Sequence, residues 1–188
     1  MNSILLVIDV QNGFQRNKET KENATRIAEL LSSNIFDKVI STRFVNRPES
    51  PYTRWLHWPR LIGKPDTDLL DELKIKSDII LEKYYYNCEK ESFTSALKKC
   101  NDGVLPDCVF MCGTDTDCCV QINAATMFEM GIHPIVLVDY CASNGGQESH
   151  RAGLMVMRRT LGEKHLINGS ISSKEEIKII SKKVVGAK

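Results

Sequence analysis

Short apolar runs recur along this chain, and between them apolar residues follow one another at helical spacing. Unbroken apolar runs are typical of strands buried on both faces of a parallel sheet, and the spaced residues are typical of amphipathic helices. The predicted strands are Ile4–Ile8, Lys38–Phe44, Asp78–Leu81, Cys108–Cys112, Pro134–Val138 and a short His165–Ile167. The predicted helices contain Ala24–Leu31, Phe93–Leu97, Val120–Phe128, Gln147–Leu161 and Ser172–Val185. This alternation predicts an α/β fold with three layers, αβα and Rossmann-like, around a mostly parallel sheet of about six strands.

The length of the chain suits one domain, and we predict a single domain over residues 1–188. Prolines and a glycine interrupt the irregular segment 46–66. A loop that long in a compact domain is usually a functional lid or an interface. The aromatic residues of this loop and those after the third strand could form the wall of a substrate pocket or a subunit contact, and the pattern does not separate these two interpretations. They are Trp55, His57, Trp58 and Tyr84–Tyr86.

The charge balance narrows the class of partner. The 25 basic and 24 acidic residues nearly cancel, so there is no electrostatic reason to expect nucleic acid or an anionic membrane surface as a partner. No apolar run approaches the roughly 20 residues that span a bilayer, and Met1–Ser3 lacks the basic start of a signal peptide. The seven cysteines are an odd number, which favours reduced thiols and a cytoplasmic location.

The segment Val109–Val120 carries the clearest candidate chemistry. An apolar run ends at a glycine, passes through small polar residues and opens a predicted helix with the adjacent thiols of Cys118 and Cys119. We expect Asp117 to be the N-cap of this helix. A thiol in a first helical turn can have its pKa lowered from about 8.5 towards 3.5–7.5, which makes a thiolate nucleophile available.

Two further reactive residues directly follow predicted strands. Asp9 comes after the first strand and Lys83 after the third, and the carboxyl ends of parallel strands meet at one edge of a sheet, where ligands bind. Asp9 can move protons, Lys83 can supply positive charge, and amides around Asp115 and Cys119 can hold an oxyanion. The reaction class that follows is acyl transfer to water through a thioester, with release of ammonia or an amine.

These residues belong to a recognisable pattern. The pattern consists of Leu5–Phe14, Lys83, Gly113–Val120, Val138–Ala142 and His150. It closely resembles the isochorismatase-like cysteine hydrolases, the group that includes nicotinamidases and N-carbamoylsarcosine amidases. The resemblance implies Asp9, Lys83 and Cys119 as the catalytic triad, and it selects Cys119 over Cys118. It also implies a cis peptide between Thr114 and Asp115, a small-molecule substrate and a homo-oligomer.

Departures from the family pattern narrow the expected activity. Family nicotinamidases hold a metal with an Asp after the second strand and a His two residues later, and those positions are Phe44 and Asn46 here. We therefore expect no metal and no cofactor. Isochorismatases typically lack the cysteine, so Cys119 favours hydrolysis of an amide, carbamoyl or ureido C–N bond. Asp115 stands where a small apolar residue is usual, and Asn87–Glu89 replaces a common Ser-Ala-Phe.

The substrate itself is not readable from the sequence. Phe14, Arg43, Phe44, Trp55 and Tyr84 are the predicted substrate contacts, and a salt bridge is the competing interpretation for Arg43. Three alternative functions stay open at this point: a catalytically inactive binding or assembly module, an isochorismatase-type hydrolase, and a redox switch built on the adjacent thiols.

Overall fold

A computed structural model describes residues 2–186, and a single six-stranded sheet lies at its centre. The strands are β1 (Ile4–Ile8), β2 (Lys38–Phe44), β3 (Ile79–Lys83), β4 (Cys108–Thr114), β5 (His133–Ala142) and β6 (Leu166–Ile167). Their order in the sheet is β3-β2-β1-β4-β5-β6, and every pairing is parallel. The predicted α/β class is confirmed, and the sheet is fully rather than mostly parallel.

The helices cover this sheet in two groups. They are α1 (Lys18–Ser32), α2 (Pro51–Arg54), α3 (Asp71–Lys76), α4 (Lys90–Cys100), α5 (Gln121–Glu129), α6 (Gly146–Leu161) and α7 (Lys174–Val185). Strand order runs outward from β1 in one direction through β2 and β3, and in the other through β4, β5 and β6. Since crossovers between parallel strands are right-handed, the two halves place their connecting helices on opposite faces of the sheet. The point where the direction reverses, between β1 and β4, is the expected position of a ligand site.

Burial follows the apolar pattern in most elements but not in all. Every residue of β1 is buried, as expected for a strand with helices on both faces. In α5, Ala124 and Met127 are buried, but Phe128, which lies at helical spacing from Ala124, is 44% exposed. In α6, Met155 is 65% exposed while Leu154, Met157 and Leu161 pack inward. The inward residues of α6 recur at intervals of three and four, as on the apolar face of an amphipathic helix.

Two short helices lie where no helix was predicted. The segment 46–66 contains α2, whose first turn is capped by Ser50, and α3 follows it before β3. In α3 only Leu73 is buried, so its sequence offers no apolar stripe that would reveal it. Within residues 2–186, none of the helices combines the length and the hydropathy needed to cross a bilayer.

Candidate active site

The strand ends bring the three predicted catalytic side chains together. Asp9 directly follows β1, Lys83 is the last residue of β3, and Cys119 lies in a single π-helical turn after β4 (Thr116–Val120). The Lys83 ammonium lies 2.7 Å from Asp9 Oδ2 and 3.4 Å from Cys119 Sγ. All three side chains are buried. The juxtaposition expected from the parallel-sheet rule is therefore present in the structure.

Asp9 is oriented by a residue that the sequence reasoning missed. The Thr42 hydroxyl in β2 donates to Asp9 Oδ1 at 2.6 Å and accepts from the Asp9 amide at 3.0 Å. Asp9 has a φ of +50°, a left-handed conformation that Asp adopts more readily than most residues. One carboxylate oxygen thus faces Thr42 and the other faces Lys83. The sequence offers little signal for this role, because β2 also contains the polar residues Lys38, Ser41 and Arg43.

Lys83 carries a charge at the centre of the site. Besides its contact with Asp9, its ammonium donates to the carbonyls of Tyr85 and Tyr86 at 2.9 and 3.0 Å. Burial acts to lower the pKa of Lys83, but the negative charge of Asp9 and that of a Cys119 thiolate outweigh burial and raise it. Lys83 is therefore an ammonium throughout the working pH range, and it fixes the loop after β3 as well as the carboxylate.

The environment of Cys119 differs from the expectation in two respects. Asp117 is not a helix N-cap, because its carboxylate accepts from the Ser143 hydroxyl instead. The pKa of the Cys119 thiol is raised well above its ordinary value, first by burial and then by the nearby Asp9, although Lys83 acts to lower it. The predicted lowering was wrong, since removal of water from a buried thiolate outweighs one neighbouring cation.

Asn123 is a second residue that sequence reasoning missed. Its side-chain amide donates to the Cys119 carbonyl at 2.7 Å and to the Tyr86 carbonyl at 2.9 Å, and its oxygen accepts from the Cys88 amide at 2.9 Å. Asn123 therefore connects the π-helical turn Thr116–Val120 to the segment Asn87–Glu89, which is one of the two departures from the family pattern. No feature of the sequence around Asn123, in the first turn of α5, distinguishes it from other polar helix residues as part of the site.

The loop proposed to hold an oxyanion has an unusual acidic side chain. The Thr114–Asp115 peptide is cis, as the resemblance implied. Asp115 Oδ1 accepts from both the amide and the side chain of Asn144, at 2.7 and 2.8 Å. Burial raises the pKa of Asp115 to about 6 although both bonds from Asn144 lower it. Asp115 is thus a carboxylate at neutral pH, and Asn144 holds it beside the π-helical turn that contains Cys119.

A cavity of about 260 Å³ opens beside Cys119. Half of its lining residues are aromatic, and the others are Cys119, Cys118, Asp115, Arg16 and Leu56. The wall-forming rings are those of Phe14, Phe44, Tyr52, Trp58 and Tyr86. They pack on one another, with the Phe44 and Tyr52 centroids 5.2 Å apart and the Tyr52 and Tyr86 centroids 5.0 Å apart. The volume suits a small molecule with one flat apolar group.

The predicted substrate contacts divide into two groups. Phe14 and Phe44 line the cavity, whereas Arg43, Trp55 and Tyr84 do not. Arg43 pairs with Glu82, and Tyr84, which follows β3, donates to the same carboxylate. Both side chains therefore lie outside the cavity. Successive side chains of a strand point to opposite faces, which is why Phe44 reaches the cavity and Arg43 does not. Trp55 is 74% exposed and lies outside this cavity.

The residues at the family's metal positions do not fit a metal. Phe44 contributes an apolar ring to the cavity, and the Asn46 amide donates to the carbonyls of Trp58 and Arg60 at 3.0 and 2.9 Å. Neither side chain offers the carboxylate or imidazole that such a site requires. Over the described part of the chain, no three His, Cys, Asp or Glu side chains cluster closely enough to hold a metal ion.

The fold and the gathered side chains define an α/β protein with a buried carboxylate, ammonium and thiol at the carboxyl ends of its strands. The family model of the Isochorismatase domain matches residues 3–165. Because this match covers most of the chain, the protein belongs to the isochorismatase family of hydrolases, and the resemblance found in the sequence is confirmed.

Solved structures agree on the fold. The chain is similar to an isochorismatase-like hydrolase from Alkaliphilus metalliredigens, with 20% identity, a TM-score of 0.71, and 96% of this chain and 98% of that chain covered. It is similar to a pyrazinamidase of Pyrococcus horikoshii in complex with zinc, with 17% identity, a TM-score of 0.73, and coverage of 91% and 100%. It is also similar to an N-carbamoylsarcosine amidase from Thermoplasma acidophilum, with 20% identity, a TM-score of 0.68, and coverage of 89% and 95%. A search of curated proteins found no significant match.

Proposed function

We propose that this protein is a metal-independent cysteine amidohydrolase that cleaves a C–N bond of a small amide, carbamoyl or ureido compound. The observation that carries the proposal is the contact of the Lys83 ammonium with both the Asp9 carboxylate and the Cys119 sulfur, directly behind a cavity that Cys119 lines. A buried ion pair beside a thiol is expensive to maintain for structure alone, and such perturbed groups in a cleft favour a catalytic role.

In the first half-reaction the Cys119 sulfur attacks the substrate carbonyl carbon and its proton passes to Asp9. The raised pKa of the thiol means that this proton is still present when substrate binds. The new C–S bond leaves a negative oxygen, which accepts hydrogen bonds from the Asp115 and Cys119 amides in this proposal. Asp9 then gives the proton to the nitrogen, the C–N bond breaks, and an amine or ammonia leaves a thioester on Cys119.

In the second half-reaction water attacks the thioester carbonyl and Asp9 accepts a proton from that water. The C–S bond breaks, the acid product leaves, and the proton returns from Asp9 to sulfur. Lys83 stays charged throughout and compensates the negative charge that moves between Asp9, the sulfur and the oxyanion. Each step therefore uses a side chain that the fold already holds in contact with its partner.

A panel of small amides, scored by release of ammonia, tests the proposal. Turnover is expected with at least one member, and Cys119→Ala is expected to abolish it. Cys108→Ala is the matched control, because it removes another cysteine at the opposite end of β4. Equal turnover by Cys119→Ala and the wild type would refute the mechanism.

Asp115 favours a second candidate, a family member that binds small molecules without hydrolysing them. A carboxylate within the oxyanion loop opposes the negative charge that hydrolysis must create there. This candidate predicts saturable binding of amides with no acid product and no acylation of Cys119. Homo-oligomeric assembly, a cytoplasmic location and a single domain over the whole chain remain predictions beside either function.

A further inference from the structure

Asp115 offers an unused acceptor to the cavity. Both bonds from Asn144 fall on Oδ1, and within residues 2–186 no amide or side chain donates to Oδ2. Asp115 itself lines the cavity beside Cys119. The two bonds from Asn144 fix the direction of the carboxylate, so Oδ2 is a preorganised acceptor rather than a mobile surface charge.

The position of this charge matters for the proposed chemistry. The amide of Asp115 is one of the two groups placed to receive the oxyanion, so its carboxylate lies within the same residue as an oxyanion donor. A substrate with a negative group near its carbonyl would add a further repulsion at this place. A substrate with a positive group would instead neutralise the carboxylate and remove its effect on the oxyanion.

The remaining surroundings of the cavity also favour a cation. Its walls are aromatic rings, whose faces attract positive charge. The Lys83 ammonium already lies 5.2 Å from the centroid of the Phe44 ring. The charge of Lys83 is compensated by Asp9 at 2.7 Å, and the basic residue of the cavity lining, Arg16, is exposed and therefore screened by water. The uncompensated and poorly screened charge at the cavity is thus the negative one of Asp115.

We propose that Asp115 determines specificity, and that the substrates are small amides, carbamoyl or ureido compounds carrying a cationic group near the scissile carbonyl. This inference rests on the proposed function and narrows its substrate class. A charge-assisted hydrogen bond to Oδ2 is expected to favour such a substrate over its neutral isostere by about 10- to 100-fold in kcat/KM.

Three amides of similar size provide the test: 3-(aminomethyl)benzamide, 3-ethylbenzamide and 3-(carboxymethyl)benzamide. At a pH of about 7.5 they are cationic, neutral and anionic, and each has a flat ring for the aromatic walls. The wild type should prefer the cation to the neutral compound and should use the anion least. Asp115→Asn keeps an acceptor for Asn144 but removes the charge, so its ratio of kcat/KM between cation and neutral amide should fall close to one. Arg16→Gln, which removes the other charge of the lining, should not lower that ratio.

An equal ratio in the wild type and Asp115→Asn, or a preference for the anion, would overturn the inference. Calorimetric binding of the same amides to Cys119→Ala, with and without Asp115→Asn, separates this inference from the proposed function. Cation-selective binding without any turnover by the wild type would contradict the hydrolase proposal alone. Turnover of all three amides with no effect of Asp115→Asn would contradict the specificity role alone.

Discussion

Lys83→Met is the substitution whose effect follows most directly from the structure. Methionine keeps a long unbranched side chain but removes the charge and its hydrogen bonds. Lys83 is only 3% exposed, so water cannot replace the ammonium. The variant would leave the Asp9 carboxylate buried without a counter-ion and the carbonyls of Tyr85 and Tyr86 without a donor. Removing one partner of a buried ion pair typically costs about 3–5 kcal/mol.

Urea unfolding at pH 8 measures this loss against a total stability of roughly 5–15 kcal/mol. The double variant Asp9→Asn/Lys83→Met should recover part of the loss, because no unpaired charge then remains, and the interaction energy of the cycle should be about 2 kcal/mol or more. Lys74→Met is the matched control, because Lys74 pairs with Asp71 on the surface, and its free energy of unfolding should hardly change.

A loss below about 1 kcal/mol for Lys83→Met, or strictly additive effects of the two substitutions, would refute this reasoning. The first result would mean that water or a rearranged loop satisfies Asp9. The second would mean that Asp9 and Lys83 do not interact in solution as they do in the structure.

Two further predictions concern titration. The pKa of the Cys119 thiol is raised by burial, so alkylation of Cys119 by iodoacetamide in the free protein should be slower at pH 7 than that of free cysteine and should keep rising through pH 9. Peptide mass analysis at a series of pH values measures the rate, and a plateau below pH 8 would contradict the prediction. The pKa of Asp115 is raised to about 6 in the folded protein, above its value of 3.8 when unfolded, so its ionised form destabilises the fold at a pH above about 6 and this effect disappears below about 4. Asp115→Asn should therefore increase the free energy of unfolding by up to about 3 kcal/mol at pH 8 and hardly at all at pH 4, and an equal gain at both values would exclude the carboxylate as its source.

The parts of the fold that follow from local patterns were predictable. The strand β1 was predicted correctly because it is an unbroken apolar run, which is typical of a strand buried on both faces. The strand β2 was also predicted with the correct bounds, and its Val39, Ile40 and Thr42 are β-branched residues that favour strands. The meeting of Asp9, Lys83 and Cys119 then follows from parallel pairing alone, since each residue stands at or just after the carboxyl end of a strand. A rule about sheet geometry was sufficient there, and no knowledge of side-chain packing was needed.

Side-chain direction and depth of burial were not predictable in the same way. Arg43 and Phe44 are neighbours, and only the pleat of β2 decides which of them reaches the cavity. The pKa of Cys119 depends on how completely later segments cover it, and no feature near position 119 reports that. Thr42 contacts Asp9, and Asn123 contacts Tyr86 and Cys88, all of them distant in the chain. Their roles therefore became visible only once β2 and α5 were in place.

Intact-mass analysis of the protein during turnover tests the central claim most directly. Rapid acid quenching of a mixture with a hydrolysed amide should show a covalent adduct with the mass of the acyl group, located on the peptide that contains Cys119. The adduct should be absent from Cys119→Ala, should be released by hydroxylamine as a thioester, and should decay at least as fast as turnover. Turnover without any adduct on Cys119, or an adduct on another residue with Cys119→Ala still active, would contradict the account.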